Sequence, residues 1–326
     1  MKRLSALLAL MLLISLAGCC YAPGTEGMYG MDSWYMNVPT FPGSNWNEEG
    51  EDPTEGPGES QPAEDDIAIP DPEVDLDAML PRQDSDFVKV TDYIPDLVVA
   101  LKYATTDNFT GNRIYEFNDL YLRYGTVLKL MEIQKELRQK GLLLKVWDGF
   151  RPTDAQRALL NDKPDPVYVS NPPTGYSNHS RGNTVDVTLV NAAGEELEMP
   201  SGYDVFSEQG DREYSDCSQT AAQNAQLLED VMSRYGFVGY EGEWWHYADE
   251  TEYPVEEIFD PSVVALWKAE CNQYINLRVA PDFTSESIAQ IPKNYTFTLL
   301  GYVNGFAYVE YKGQRGYVNA DYISPF

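Results

Sequence analysis

From residue 86 onward, apolar and polar positions recur with two periods, and the change between them divides the chain. Residues 96–103 alternate and carry Val98 and Val99, which suits a strand. Over 126–140, Val127, Leu128, Leu130, Met131, Ile133 and Leu137 recur at helical spacing, and Gly141 supplies a stop. Residues 142–147 form a short apolar run that reads as a buried strand. Pro152 and Thr153 start a short helix ending near Asn161, and the Pro- and Asp-rich stretch 161–176 reads as loop. A strand at 185–190, a helix over 219–235 stopped by Gly236, and a strand pair at 237–240 and 244–247 follow. The pattern predicts an α+β domain over 86–254, with helices packed on a small antiparallel sheet.

Residues 255–271 read as a connector, with a short helix at 261–268. Beyond 272 the pattern becomes short strands broken by turn residues, at 275–278, 297–300, 307–311 and 316–318. That predicts a small all-β barrel over 272–326. Ahead of residue 86 no apolar period is present, except at the N-terminus. There Lys2 and Arg3 precede the apolar run 4–16, which is shorter than the ~20 residues a membrane span needs and reads as an export signal. The run ends in Leu16-Ala17-Gly18-Cys19, which resembles the bacterial lipobox. The resemblance implies a signal peptide at 1–18, a lipid on Cys19, and attachment to the outer face of a bacterial membrane. A plain secretory signal or an uncleaved anchor is the alternative. Residues 19–85, rich in Pro, Gly, Ser, Glu and Asp, read as a disordered tether, unable to bury enough apolar surface to offset their ordering entropy.

Charge changes this picture little. The formal net charge is −29, which argues against nucleic acid as a partner, since phosphate neutralisation needs clustered Lys and Arg. Thirteen acidic residues fall between Glu48 and Asp77, and no Lys or Arg lies between Arg3 and Arg82, so the charge describes the tether rather than a substrate. Of the four cysteines, Cys19 is the lipid site that the lipobox resemblance implies, and Cys20 is its neighbour. Cys217 and Cys271 could pair in an exported protein, but sequence spacing does not decide it.

The candidate chemistry lies in two short motifs that hold the only two histidines of 326 residues. His179 belongs to the run from Ser177 to Asp186, and His246 follows Glu243 by three residues in Gly242-Glu243-Trp244-Trp245-His246-Tyr247. A solitary histidine is more often a surface or hydrogen-bonded core residue than a ligand. Here, however, each histidine has a carboxylate at ligand-like spacing. His179, Asp186 and His246 would make a three-ligand set for one catalytic Zn2+, with a fourth position open for water. Glu243 is then spaced to act as general base beside that water. Arg151, at the end of the 142–147 strand in Asp148-Gly149-Phe150-Arg151-Pro152, suits a carboxylate or a developing oxyanion; an ion pair with Asp148 or Asp154 is the alternative.

These runs together resemble the zinc D-alanyl-D-alanine peptidases, and within that group the VanX-like D-Ala-D-Ala dipeptidases. Residues 103–111, beginning Tyr103-Ala104-Thr105-Thr106-Asp107, and the pair Tyr203-Asp204 resemble two further signatures of that subfamily. The resemblance implies His179, Asp186 and His246 as zinc ligands, Glu243 as catalytic base, and Arg151 as the group facing the oxyanion. It implies Tyr103 and Asp204 as partners of the substrate's free amino group, and Ser177 as a residue beside the substrate. Thr184 and Asn178 depart from the family's usual alanine and serine, which touches only pocket detail. Cys217 aligns with a cysteine of the family, which weighs against pairing with Cys271. Residues 272–326 resemble bacterial SH3-like domains through Leu277-Arg278-Val279-Ala280-Pro281 and 316–323, with Phe306 where many relatives have Trp. Such domains often bind cell-wall peptides, so peptidoglycan is a candidate partner. The implied activity is hydrolysis of D-alanyl-D-alanine or a similar small D,D-dipeptide. Alternatives are a D,D-carboxypeptidase or endopeptidase acting on peptidoglycan stem peptides, and a non-catalytic wall-binding lipoprotein.

Overall fold

The computed structural model describes residues 68–76, 79–80, 82–162 and 176–326. The expected signal peptide, Cys19, Cys20, most of the tether, and the loop at 163–175 lie outside the described residues. Among the described residues, no helix is long and apolar enough to cross a membrane.

The first domain is built on β1 (Phe87–Lys89), β2 (Val98–Val99), β3 (Tyr121–Arg123), α1 (Tyr124–Arg138), β4 (Leu142–Asp148), α2 (Thr153–Asp162), β5 (Thr184–Asn191), α3 (Gln219–Arg234), β6 (Phe237–Tyr240) and β7 (Glu243–Asp249). A five-stranded sheet runs in the order β2-β4-β5-β7-β6. Its last four strands are antiparallel as expected, but β2 joins β4 in parallel, because the chain returns to the sheet through β3 and α1. The sheet is therefore mixed. α1 turns Val127, Leu130, Ile133 and Leu137 into the core, the face its periodicity marks, and Gly141 ends it with a left-handed φ of 69°. α3 is capped by Ser218, whose hydroxyl accepts the Ala221 N–H at 3.0 Å.

Extended structure stops at Val99 rather than continuing to residue 103. A 3-10 turn, Lys102–Ala104, follows, and the carbonyl of Tyr103 accepts the N–H groups of both Ile114 and Tyr115 at 2.8 Å. These bonds hold the Tyr103 backbone, so its ring projects inward from a fixed turn rather than from a strand.

The second domain comprises β8 (Ala265–Ala269), β9 (Tyr274–Arg278), β10 (Ser287–Pro292), β11 (Thr296–Val303), β12 (Phe306–Tyr311), β13 (Gln314–Asn319) and β14 (Ile323–Pro325), in a seven-stranded antiparallel sheet. β8 falls in the stretch read as a connector with a helix. Only Pro261–Val263 is helical there, and the next residues pair with β11 on one side and β14 on the other. The chain before residue 86, read as part of the tether, is likewise already docked: the Ile69 N–H donates to the Arg138 carbonyl at 2.9 Å, and the Arg138 guanidinium reaches Asp71 at 2.9 Å and Asp96 at 2.6 Å. Cys217 and Cys271 are both free thiols.

The two domains share a small aromatic cluster of Phe87, Tyr121, Phe150, Phe259 and Leu300, with Phe87 and Phe259 stacked at 4.4 Å between ring centroids. Around it Arg315 donates to the Phe87 carbonyl at 2.9 Å and pairs with Asp86 at 3.2 Å and Glu310 at 2.9 Å. Close approach is also required at Gly301, where an added Cβ would fall 1.9 Å from the Ile258 carbonyl oxygen. Phe150 lies between Gly149 and Arg151, so the barrel packs against the back of the segment that carries Arg151.

Candidate metal centre and active site

β5 and β7 are neighbours, and their register sets Asp186 opposite His246. His179 arrives from the 3-10 turn Asn178–Arg181, which Ser177 caps by accepting the His179 N–H and Gly182 ends at a φ of 77°. The His179 Nδ1–H donates to the Gly149 carbonyl at 2.8 Å, which leaves the Nε2 lone pair facing the cluster. His179 Nε2 lies 3.2 Å from His246 Nδ1 and 3.3 Å from Asp186 Oδ1, and His246 Nδ1 lies 3.0 Å from Asp186 Oδ1. A tetrahedral ion bound at ~2.1 Å would hold its ligand atoms about 3.4 Å apart, close to this triangle. The second Asp186 oxygen accepts the Tyr203 hydroxyl at 3.0 Å, which turns Oδ1 toward the imidazoles.

The charge balance favours a cation at this point. Asp148, Asp186 and Glu243 are buried carboxylates and Asp204 is a half-buried one beside them, with Arg151 as their basic counterpart there. Burying that much negative charge is costly unless a cation shares the space. Burial pushes the Asp186 carboxyl up, but the charges and hydrogen bonds of His179 and His246 prevail and hold it well below the usual carboxylate range. His179, Asp186 and His246 fit a divalent metal ion, and they form the only such group among the described residues.

Glu243 stands beside this triangle, its Oε2 3.6 Å from His246 Nδ1. Burial lifts its carboxyl to about 7; the charges of Asp186 and Asp204 add to the rise, while His246 and Arg151 oppose it. On the other side, Tyr103 donates its hydroxyl to Asp204 at 2.9 Å. Burial and the Asp186 charge raise the Asp204 carboxyl to about 7, against the Tyr103 hydrogen bond and the Arg151 charge. Asp204 holds a left-handed φ of 58°, which aims its side chain inward from a loop.

Arg151 takes the ion-pair alternative without leaving the site. Its Nε and Nη2 donate to Asp148 Oδ2 at 3.0 and 2.6 Å, its Nη1 donates to Gln156 at 2.9 Å, and its guanidinium lies 5.1 Å from the centre of the Tyr103 ring. Asp154 pairs with Arg157 instead. Ser177 is buried, and its hydroxyl serves the turn that carries His179. The structure therefore gathers His179, Asp186, His246, Glu243, Tyr103, Asp204, Arg151 and Ser177 into one region.

Sequence reasoning missed part of what stands behind them. Asp148, wholly buried, accepts the Tyr115 hydroxyl at 2.7 Å and holds Arg151, while Tyr203 steers Asp186. The Arg151–Asp148 pair is the alternative read from sequence, and what escaped was the Tyr115 contact and the part Tyr203 plays, although Tyr203 adjoins Asp204. Arg212, which lies under β7, gave no signal.

With this geometry in hand, the comparisons with known proteins are consistent across the domain. A family described as D-ala-D-ala dipeptidase matches residues 83–263, and one described as bacterial SH3 domain matches residues 274–324. The D-alanyl-D-alanine dipeptidase of Escherichia coli K12 is 36% identical over 163 residues, covering 50% of this chain and 84% of that protein. That of Enterococcus faecalis V583 is 35% identical over 166 residues, covering 45% and 82%. That of Streptomyces coelicolor is 30% identical over 195 residues, covering 54% and 96%. The chain belongs to the D-ala-D-ala dipeptidase family of peptidases, and it carries a bacterial SH3 domain behind the peptidase domain.

Proposed function

We propose that this protein is an exported zinc dipeptidase that cleaves D-alanyl-D-alanine, or a similar small D,D-dipeptide, with a free amino terminus. One observation carries the reading: a base, Glu243, and an ammonium-binding pair, Tyr103 and Asp204, stand beside the same cluster of three donor atoms. His179, Asp186 and His246 would hold the ion, a donor set of imidazole and carboxylate that suits zinc. Zinc, when bound, supplies a Lewis acid that acidifies water and polarises the scissile carbonyl.

The rest is done by the chain's own side chains. The Glu243 carboxylate takes a proton from the attacking water and delivers it to the departing amine nitrogen. The Arg151 guanidinium, held by Asp148, faces the negative charge that develops on the carbonyl oxygen. Asp204 pairs with the substrate ammonium, with Tyr103 fixing the carboxylate. An acylated substrate would cover that half-buried carboxylate without giving it a partner, which is the physical basis of dipeptide selectivity.

The apolar run 4–16 and the lipobox-like Leu16–Cys19 support export and a lipid anchor at Cys19. That location, with the bacterial SH3 match, also favours a second reading: trimming of peptidoglycan stem peptides, with the barrel touching the wall. One panel separates them. Purified protein should release D-Ala from the free dipeptide at least ~10²-fold faster than from the N-acetylated one, as expected when a buried charge loses its partner. Chelation should abolish the activity and zinc should restore it. A preference for the acetylated form would favour the second reading, and turnover surviving exhaustive chelation would overturn both.

A further inference from the structure

Glu243 and His246 pose a geometric problem. On a regular strand, side chains three positions apart face opposite sides of the sheet. Both nevertheless reach the donor cluster, 3.6 Å apart. The pairing of β7 with β6 accounts for this. Val238 pairs with Ala248 and Gly239 with Tyr247, but the next residue, Tyr240, pairs with Glu243. Residues 244–246 are skipped by β6. An irregularity of this kind turns the strand and lets Glu243 and His246 share a face, at the expense of ladder hydrogen bonds to the skipped carbonyls.

Arg212 fills that gap. Its Nη2 donates to the carbonyls of Glu243 at 3.2 Å, Trp244 at 3.1 Å and His246 at 2.9 Å, and its Nε donates to the Tyr240 carbonyl at 2.9 Å. Nη1 reaches the Tyr247 hydroxyl at 3.0 Å and Glu229 at 3.3 Å, and the Arg212 N–H donates to the Glu241 carbonyl at 3.1 Å. The guanidinium lies 4.4 Å from the centre of the Tyr247 ring. Room for it depends on Gly239, where an added Cβ would fall 2.3 Å from the guanidinium carbon.

We propose that Arg212 is a positioning residue for the reaction: its guanidinium replaces the missing rungs of β6 and holds Glu243 and His246 on one face. The inference rests on the assignment of Glu243 as base and His246 as metal ligand. Only a planar fork can donate in one plane to carbonyls on both strands; a lysine ammonium is a point donor without that reach. Arg212 touches no reacting atom, and its effect passes wholly through the β7 backbone.

The test measures zinc affinity by competition with a chromophoric chelator, together with kcat, KM and Tm, in wild type, Arg212→Ala, Arg212→Lys and Gly239→Ala. Loss of a group that orients ligands costs about 10–100-fold in metal affinity or activity. Arg212→Ala should lose that much in both zinc affinity and kcat, with KM changed less than ~3-fold because Asp204 and Tyr103 lie elsewhere. Low millimolar methylguanidinium should restore part of both, a recovery that a merely destabilised fold would not show. Gly239→Ala, which keeps Arg212 but crowds it, should reproduce the defect and stands in if Arg212→Ala fails to fold. Wild-type zinc affinity and kcat in Arg212→Ala or Gly239→Ala, or a lowered Tm with neither changed, overturns the proposal. A wild-type protein that binds no zinc overturns the parent assignment and this inference with it.

Discussion

Glu243→Gln should lower kcat by about 10²–10⁴-fold, the range that positioned general-base catalysis contributes, while leaving zinc uptake near wild type. The two effects separate because Glu243 is not one of the three clustered donors: its Oε2 is 3.6 Å from His246 Nδ1, whereas His179, Asp186 and His246 close to within 3.3 Å of one another. Glutamine keeps the size and one oxygen of the side chain but cannot accept the proton from water at neutral pH. Because its neighbours are undisturbed, KM should change little, placing the loss in the chemical step. Metal content and steady-state kinetics on the free dipeptide check both halves. Loss of zinc in step with activity would make Glu243 a ligand; retained kcat would remove it from the chemistry.

The candidate site residues were legible because rare side-chain types at telling spacings mark them in the sequence. Two histidines in the whole chain, each near a carboxylate, can be found by rarity and spacing alone. The helices were legible for the same kind of reason: the stripe Val127, Leu130, Ile133, Leu137 is the buried face of α1. What escaped was structure held by the main chain. β1 and β3 are three residues each, too short for alternation to show. β8 reads as connector because its pairing partners, β11 and β14, come almost thirty and more than fifty residues later. Arg212 binds mostly carbonyls, which every residue possesses, so no side-chain pattern marks its partners. Tyr103 stands between the two cases: its identity was legible, but the turn that aims it depends on carbonyl bonds to residues 114 and 115.

Asp204→Asn should make the protein both more stable and far less active. In the folded, metal-free protein burial and the Asp186 charge raise the Asp204 carboxyl to about 7, against an ordinary aspartate value near ~4 in the unfolded chain. The folded state therefore keeps a proton that the unfolded state gives up. The stability tied to that proton is full below pH ~4, falls as pH rises, and is gone above about 7. Asparagine carries no such charge. The variant should match wild type at pH 4.5 and exceed it by a few kcal/mol at pH 8, since a tenfold difference in proton affinity between the folded and unfolded chain is worth about 1.4 kcal/mol. Asparagine can also accept the Tyr103 hydroxyl, and it tolerates the φ of 58° at this position, so no new strain opposes the gain. Activity should move the other way. Without the carboxylate the substrate ammonium loses its partner, and the ~2–5 kcal/mol attached to one half of a buried charge pair corresponds to roughly 30- to 5,000-fold in kcat/KM. Thermal unfolding in EDTA at the two pH values, with kcat/KM on the free dipeptide, measures both. A stability gain independent of pH would mean that burial of the charge is not its cause, and unchanged kcat/KM would remove Asp204 from substrate binding. If both halves hold, the carboxylate is kept at a cost in stability because the substrate's amino group needs it.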